Sequence, residues 1–207
     1  LEPLSELERV QIFREILDEG SSTGPFEVLR PFGSRYYYVR ALIKNIQDLK
    51  REGISPEDFA GVLKGLDLLT GSRSNPIGAK DFEEKDLKKN LELVEVYKTY
   101  QKKLVEKSRY DFEDMISLVV DAFGKDENLL RKYQEKFHYI LVDEFQDTNT
   151  PQNKVVQELT SFWGEQANVF AVGDDEQSIY RFQGASIENI LFFRNLPIFR
   201  KLILKKW

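Results

Sequence analysis

Two short apolar runs in the second half of the chain constrain the fold more than any other feature. Tyr139–Val142 and Val169–Val172 are continuously apolar, and each is followed within two residues by acids. Strands that are apolar on both faces are typical of parallel sheets covered on both sides. Leu202–Leu204 is a third run of this kind. The pattern predicts part of a parallel sheet flanked by helices.

The segment between the first two runs has the signals of a helix. It opens with Thr150-Pro151, a start that suits proline in the first turn, and Gly164 closes it. A strand, a helix and a second strand in this order predict a βαβ unit.

The first half of the chain has the periodicity of helices. Ser5 followed by Glu8 is a capping-box pattern, Gly20 is a stop signal, and Ser55-Pro56 is a second strong start. Helices are predicted over residues 5–20, 36–51, 55–71, 81–107, 111–123 and 126–136. We predict an α/β fold with two domains: a mainly helical domain over residues 1–109 and the sheet-containing domain over residues 110–207.

Composition excludes several classes of function. The 207 residues include no cysteine, which excludes disulfides, a thiol nucleophile and cysteine-bound zinc. His138 is the single histidine, so a multi-histidine metal site is excluded and a Ser-His-Asp site is disfavoured. No apolar run approaches the roughly 20 residues that span a bilayer. The lack of cysteine fits a reducing compartment, and we expect a cytoplasmic location.

The charges are unevenly placed. Residues 1–110 are neutral overall, and residues 111–207 carry the whole net charge of -5. A broad nucleic-acid surface normally leaves a basic footprint, so the acidic half on its own argues against one. A magnesium ion held by these carboxylates would change the local sign of the charge.

Acidic residues stand where the two predicted strands end. In open α/β sheets, ligands bind beyond the carboxyl ends of the strands. Magnesium takes one or two carboxylates together with phosphate oxygens, and a second acid can activate a water molecule. Asp143 as the metal ligand and Glu144 as the base is the simplest assignment; the alternative is that these acids only cap the next helix. The acids are Asp143, Glu144 and Asp147 after the first strand, and Asp174, Asp175 and Glu176 after the second.

Three strings in this half resemble motifs of the UvrD/Rep family of superfamily 1 DNA helicases, in that family's order. The first is similar to the acid-aromatic segment that precedes motif II, the second to motif II (Walker B) and the third to motif III. They are Tyr110-Asp111-Phe112-Glu113-Asp114-Met115, Ile140-Leu141-Val142-Asp143-Glu144-Phe145-Gln146-Asp147-Thr148-Asn149, and Val172-Gly173-Asp174-Asp175-Glu176-Gln177-Ser178-Ile179-Tyr180-Arg181-Phe182-Gln183-Gly184-Ala185.

The resemblance implies a fold, ligands and residue roles. Residues 1–109 would be the helical 1B insertion, and residues 110–207 the C-terminal half of the RecA-like (P-loop NTPase) domain 1A. The parent would be an ATP-dependent, 3′→5′ DNA helicase in DNA repair, with ATP as substrate and Mg²⁺ as cofactor. Asp143 would bind Mg²⁺, Glu144 would activate water, and Gln177 would contact the γ-phosphate.

The resemblance also implies contacts with single-stranded DNA. Tyr180 and Phe182 would stack on bases, and Phe112 is either a further DNA contact or a core residue. At two positions the sequence departs from the family. Phe182 stands where tryptophan is common, and Gln183 stands where arginine is common. Binding to DNA is therefore expected to be weaker, or its contacts to be differently distributed.

Other parts of the family pattern are missing from this sequence. Gly65 and Gly71 do not have the spacing of a Walker A loop, which we expect before Leu1, and the motif IV arginine is expected after Trp207. The isolated fragment is therefore expected to be inactive, and its incomplete sheet is expected to favour self-association. Two alternatives stay open: a non-catalytic DNA- or protein-binding module derived from this fold, and the helicase part of a RecB-like helicase-nuclease.

Overall fold

A computed structural model describes residues 1–20, 24, 26–71 and 84–173 of the chain. The predicted fold class is confirmed: most of the described chain is helical, and its few strands are short and pair in parallel. The predicted strand Leu202–Leu204 lies outside the described residues.

The predicted helices, and the two predicted strands within the described residues, occur in the predicted order. The helices are α1 Glu6–Glu19, α2 Val39–Arg51, α3 Pro56–Gly71, α4 Glu84–Glu106, α5 Asp114–Lys125, α6 Glu127–Lys136 and α7 Thr150–Ser161. The strands are β1 Glu2–Pro3, β2 Arg109–Tyr110, β3 Ile140–Val142 and β4 Val169–Ala171. Short 3₁₀ turns cover Phe145–Asp147 and Gly164–Gln166.

The chain divides into two compact units. The first consists of Leu1–Lys50 and Ile54–Phe112, and the second consists of Arg51–Gly53 and the described residues from Glu113 onward. The chain therefore passes from the first unit into the second immediately after Phe112. Assignment of the predicted domains, 1–109 and 110–207, to subdomains 1B and 1A stays a prediction.

The first unit is built around helices α1, α2 and α4. The predicted capping box of α1 is confirmed, because the Ser5 hydroxyl accepts the Glu8 N–H and the Glu8 carboxylate accepts the Ser5 N–H. Gly20 ends the helix with a positive φ of 80°. The core consists of buried apolar and aromatic side chains, among them Phe13, Leu17, Leu42, Ile46, Val96, Tyr97, Tyr100 and Leu104.

A short parallel strand pair closes the first unit, and the sequence did not predict it. In β1 and β2, Glu2 is opposite Arg109 and Pro3 is opposite Tyr110. Two-residue strands have too few side chains to show an alternating pattern. Their partners are also far apart in sequence, so no turn signal marks the pairing.

The second unit contains the predicted βαβ arrangement. Strands β3 and β4 are parallel, with Leu141 opposite Phe170 and Val142 opposite Ala171, and α7 lies between them in the chain. Helices α5, α6 and α7 pack against one another. No helix in the described part of the chain is long and apolar enough to cross a membrane.

One face of this two-stranded sheet is apolar and exposed. Alternate residues of a strand point to the same face, and residues opposite one another across the pair share that face. Four side chains of one face are exposed: Tyr139, Leu141, Phe170 and Val172. Among the described residues, this face therefore lacks the cover that parallel sheets normally have.

Candidate active site at the ends of the strands

The carboxyl ends of β3 and β4 are joined by backbone hydrogen bonds that continue beyond the strands. The Val172 N–H donates to the Val142 carbonyl at 2.8 Å, and the Phe145 N–H donates to the Val172 carbonyl at 2.8 Å. The second bond brings the chain after β3 back across the end of β4. The residues that follow both strands therefore lie at the same edge of the sheet.

Asp143 and Glu144 are presented to solvent at this edge. Both are exposed, and the Asp143 Oδ1 accepts the Glu144 N–H at 3.0 Å. Glu144 adopts the left-handed conformation, with φ 47° and ψ 48°. This conformation is sparsely populated by residues other than glycine, asparagine and aspartate, and such residues cluster at functional sites.

These two acids do not cap the next helix. The cap of α7 is Asn149, whose side chain accepts the Gln152 N–H at 3.0 Å while the Gln152 side chain accepts the Asn149 N–H at 2.9 Å. Glu144 precedes the turn Phe145–Asp147 and makes no capping hydrogen bond with its side chain. The alternative reading of this acid pair as helix caps is therefore wrong.

Gln146 holds the Glu144 side chain. Its Nε2 donates to the Glu144 Oε2 at 2.5 Å, and the residue is almost fully buried. A carboxylate that accepts a hydrogen bond from a buried amide has fewer accessible rotamers. The sequence indicates no role for Gln146, because a glutamine near acids is not in itself a chemical signal.

Gly173 leaves the space in which Gln146 sits. A Cβ at this position would lie 2.6 Å from the Gln146 Oε1, 3.2 Å from the Gln146 backbone nitrogen and 3.2 Å from the Phe145 Cβ. The first of these distances is shorter than any ordinary contact, so a side chain at residue 173 would displace its neighbours. A glycine at the end of a strand pattern is the signal that indicates such a close approach.

The acid-aromatic segment begins in the first unit with Tyr110, Asp111 and Phe112 and continues into the second unit from Glu113. Two neighbouring residues of its first part differ sharply in burial. Asp111 is 1% exposed, whereas the next residue, Phe112, is 77% exposed. The predicted helix over 111–123 begins later, at Asp114. The prediction of Phe112 as a core residue is wrong, and its alternative role as a DNA contact stays a prediction.

Other predicted site residues lie outside the described part of the chain. These are Gln177, Tyr180, Phe182 and Gln183, and their roles stay predictions. Among the described residues, no group of three or more His, Asp or Glu side chains converges as a metal cage would. Asp143 is an exposed carboxylate, and magnesium is commonly held by one or two carboxylates together with phosphate oxygens and water; its role as the magnesium ligand stays a prediction.

Comparison with known proteins identifies the family. Residues 4–197 match the model of the UvrD/REP helicase N-terminal domain. The chain is 35% identical over 154 residues to ATP-dependent DNA helicase PcrA of Bacillus subtilis. It is 42% identical over 158 residues to the putative ATP-dependent DNA helicase YjcD of the same organism. It is 32% identical over 184 residues to PcrA of Staphylococcus aureus.

These matches cover most of this chain and a small part of each relative. They span 74%, 76% and 89% of the chain, but only 18%, 19% and 24% of the corresponding relatives. The chain thus spans less than a quarter of the length of these relatives.

Proposed function

Because the chain belongs to the UvrD/Rep helicase family, we propose that it is part of an ATP-dependent DNA helicase that moves 3′→5′ on single-stranded DNA and couples ATP hydrolysis to unwinding. The observation that supports this most directly is the placement of Asp143 and Glu144. Both acids are exposed beyond the end of β3, beside the end of β4, where ligands of α/β sheets bind. We propose that this Asp-Glu pair provides the metal ligand and the base of the site.

The two acids have separate roles in the proposed reaction. Asp143 would hold Mg²⁺, which supplies charge to neutralise the phosphates of ATP. Glu144 would accept a proton from the attacking water, and such general base catalysis contributes about 10²- to 10⁴-fold in rate. Gln146 would fix the Glu144 carboxylate through the bond to its Oε2. Gln177 would contact the γ-phosphate.

The DNA contacts are proposed to be aromatic. Phe112, Tyr180 and Phe182 would stack on unpaired bases, and Gln183 would contact the strand without the charge of an arginine. An aromatic side chain stacks on any base, with about 1–3 kcal/mol per base and without sequence preference. The 77% exposure of Phe112 supports its part in this proposal.

Hydrolysis by the full-length protein tests the proposal. We expect phosphate release from ATP that single-stranded DNA stimulates, and we expect Glu144→Gln to lower kcat at least 100-fold. Glu165→Gln is the matched control, because Glu165 is an exposed acid of the same unit outside the site. DNA-stimulated hydrolysis that survives Glu144→Gln would reject Glu144 as the base. Absence of hydrolysis with retained DNA binding would favour a non-catalytic module, and a nuclease activity would favour the RecB-like alternative.

The isolated chain of 207 residues is proposed to be inactive, because a Walker A loop is not in its sequence. A malachite-green assay with Mg²⁺, ATP and single-stranded DNA is expected to show no phosphate release above the blank. Turnover that Glu144→Gln abolishes would contradict this proposal.

We also propose self-association of the isolated chain through its incomplete sheet. The exposed apolar face of β3 and β4 supports this, since Leu141 is 77% exposed and exposed apolar patches favour association. Light scattering is expected to show a dimer or larger species at micromolar concentration. Leu141→Lys is expected to shift the population to the monomer, and a monomeric wild-type chain would refute the proposal.

A further inference from the structure

We propose that Asp111 is a positioning residue that holds Phe112 in solvent as a stacking surface for an unpaired base. The inference rests on the proposed function, since it assumes that the chain binds single-stranded DNA. It assigns the holding role to three buried side chains of the first unit: Lys50 of α2, Tyr100 of α4 and Asp111, which directly follows β2.

The cluster is a charge pair with one additional hydrogen bond. The Lys50 Nζ lies 2.6 Å from the Asp111 Oδ2, and the two side chains are only 3% and 1% exposed. The Tyr100 hydroxyl donates to the same Oδ2 at 3.0 Å. The Lys50 Nζ also lies 4.9 Å from the centre of the Tyr100 ring, within the range of a cation–π contact. Asp111 is thereby fixed to α2 and to α4.

The backbone before Asp111 is fixed as well. The Glu2 N–H donates to the Ser108 carbonyl at 3.1 Å, and the Leu4 N–H donates to the Tyr110 carbonyl at 2.8 Å. Ser108 itself has a positive φ of 52°, which turns the chain from α4 into β2. The direction in which the chain leaves Asp111 is therefore set by both backbone and side-chain bonds.

Phe112 is the first side chain after these anchors, and it is 77% exposed. Asp111 is buried and Phe112 is exposed, which is the reverse of the usual pattern. An isolated carboxylate prefers water, and a phenyl ring prefers the core. A buried ion pair is weak evidence for stability, but it can specify one conformation. Places where a sequence breaks the local rule in this way are expected to be functional.

A purely structural role for the cluster makes a different prediction from a positioning role. If Asp111 acts through Phe112, its removal has no further effect on DNA binding once the ring is absent. If Asp111 only stabilises the unit, its removal has the same effect with and without the ring. A double-mutant cycle separates the two cases.

The experiment measures the binding of a single-stranded oligonucleotide containing 2-aminopurine by the 207-residue chain, using both anisotropy and 2-aminopurine emission. Phe112→Ala is expected to weaken binding by about 5- to 150-fold, the range for one lost stack, and to remove the emission change. Asp111→Asn is expected to reproduce most of that loss. The Asp111→Asn variant in the Phe112→Ala background is expected to bind like Phe112→Ala alone. Glu95→Gln, an acid on the surface of α4, is the control.

A second variant keeps the test valid if Asp111→Asn does not fold. Lys50→Met combined with Asp111→Leu replaces the buried pair by apolar side chains, an exchange that other proteins often tolerate. This variant is expected to keep its helical circular dichroism while it loses the emission change. Retention of the emission change in this variant would overturn the inference.

The outcomes also distinguish the inference from the proposed function. Loss of stacking in Phe112→Ala but not in the Asp111 variants would reject the positioning role and leave the DNA contact intact. Unchanged binding by Phe112→Ala would reject the contact at Phe112, and the inference with it. No binding by the wild-type chain would reject the inference, whereas the proposed function is rejected only by the hydrolysis assay on the full-length protein.

Discussion

Single residues after β3 combine conformational strain with tight packing. Glu144 occupies the left-handed region, its carboxylate is held by the buried Gln146, and Gly173 leaves room for that amide. The sequence marked Asp143 and Glu144 because acids after an apolar strand have a chemical meaning. It indicated no role for Gln146, and the glycine at the end of the strand pattern did not show which residue approaches it, because this contact between two strand ends forms only when the chain is folded.

Gly173→Ala tests this contact. The added Cβ would meet the Gln146 Oε1 at 2.6 Å, so we expect a loss of about 1–3 kcal/mol in the free energy of unfolding, as is usual for overpacking. Urea denaturation followed by circular dichroism measures it. Gly124→Ala is the control: this glycine lies in α5 with nothing within 4 Å of an added Cβ, and alanine there is expected to stabilise the helix. Equal changes in the free energy of unfolding for the two substitutions would show that the Gln146 side chain moves aside without destabilising the fold.

At the scale of elements, local signals in the sequence determined most of the structure. Ser5 and Glu8 predicted the start of α1, and Thr150-Pro151 predicted the start of α7, because capping and a proline in the first turn act within a few residues. The cap residue of α7 is Asn149, which the sequence analysis did not assign. The start of α5 was predicted three residues too early, since Asp111 forms an ion pair with a residue 61 positions away.

The cap of α7 is expected to stabilise the second unit. Asn149→Ala removes the acceptor of the Gln152 N–H, and substitutions of this type cost about 0.5–2 kcal/mol. Gln152→Ala is the matched control, since it removes only the reciprocal bond to the Asn149 N–H and is expected to cost less. Both are measured by urea denaturation. A larger loss for Gln152→Ala than for Asn149→Ala would contradict this assignment of the cap.

The N-terminal cap of α1 predicts a pH dependence. Two hydrogen bonds from Ser5, from its hydroxyl and its N–H, lower the pKa of Glu8 from 4.5. A carboxyl whose pKa is lowered in the folded state contributes stability above its unfolded pKa, and this contribution is lost as the pH falls through the folded value. We therefore expect the wild-type chain to lose stability below about pH 4.5 more steeply than Ser5→Ala, measured as the thermal midpoint between pH 3 and pH 6. If the thermal midpoints of the two proteins fall in parallel as the pH is lowered, the hydroxyl of Ser5 does not contribute to this pH dependence.

At the scale of the whole molecule, the first unit encloses a buried cluster that contains an ionisable tyrosine, Tyr100, beside the Lys50–Asp111 pair. Burial raises the pKa of Tyr100 above 10.0, and the negative charge of Asp111 raises it further. Composition and periodicity predicted that the first half is helical with an apolar core. They did not predict the buried Lys50–Asp111 pair, because charged residues are normally exposed and the sequence does not show which of them are paired.

Tyr100 is expected to make the chain sensitive to alkali. A group whose pKa is raised in the folded state loses its contribution as the pH rises above the unfolded value, here 10.0. The free energy of unfolding should therefore fall above pH 10 by up to about 1.4 kcal/mol per pH unit from this group. Tyr100→Phe should reduce the slope of the free energy of unfolding against pH. Tyr139→Phe, at a 75% exposed position, should leave this slope unchanged. Urea denaturation between pH 9 and pH 11.5 measures the slopes, and equal slopes for all three proteins would contradict the assignment.

The pairing of Glu2–Pro3 with Arg109–Tyr110 brings the two ends of the first unit together. Paired strands run about 4.8 Å apart, so the path into the helices and the path out of them are immediate neighbours. The first unit therefore begins and ends at neighbouring positions, and backbone hydrogen bonds from Glu2 and Leu4 hold its two ends together. Loss of this pairing would free both ends of the unit at once, although they are more than 100 residues apart in the chain.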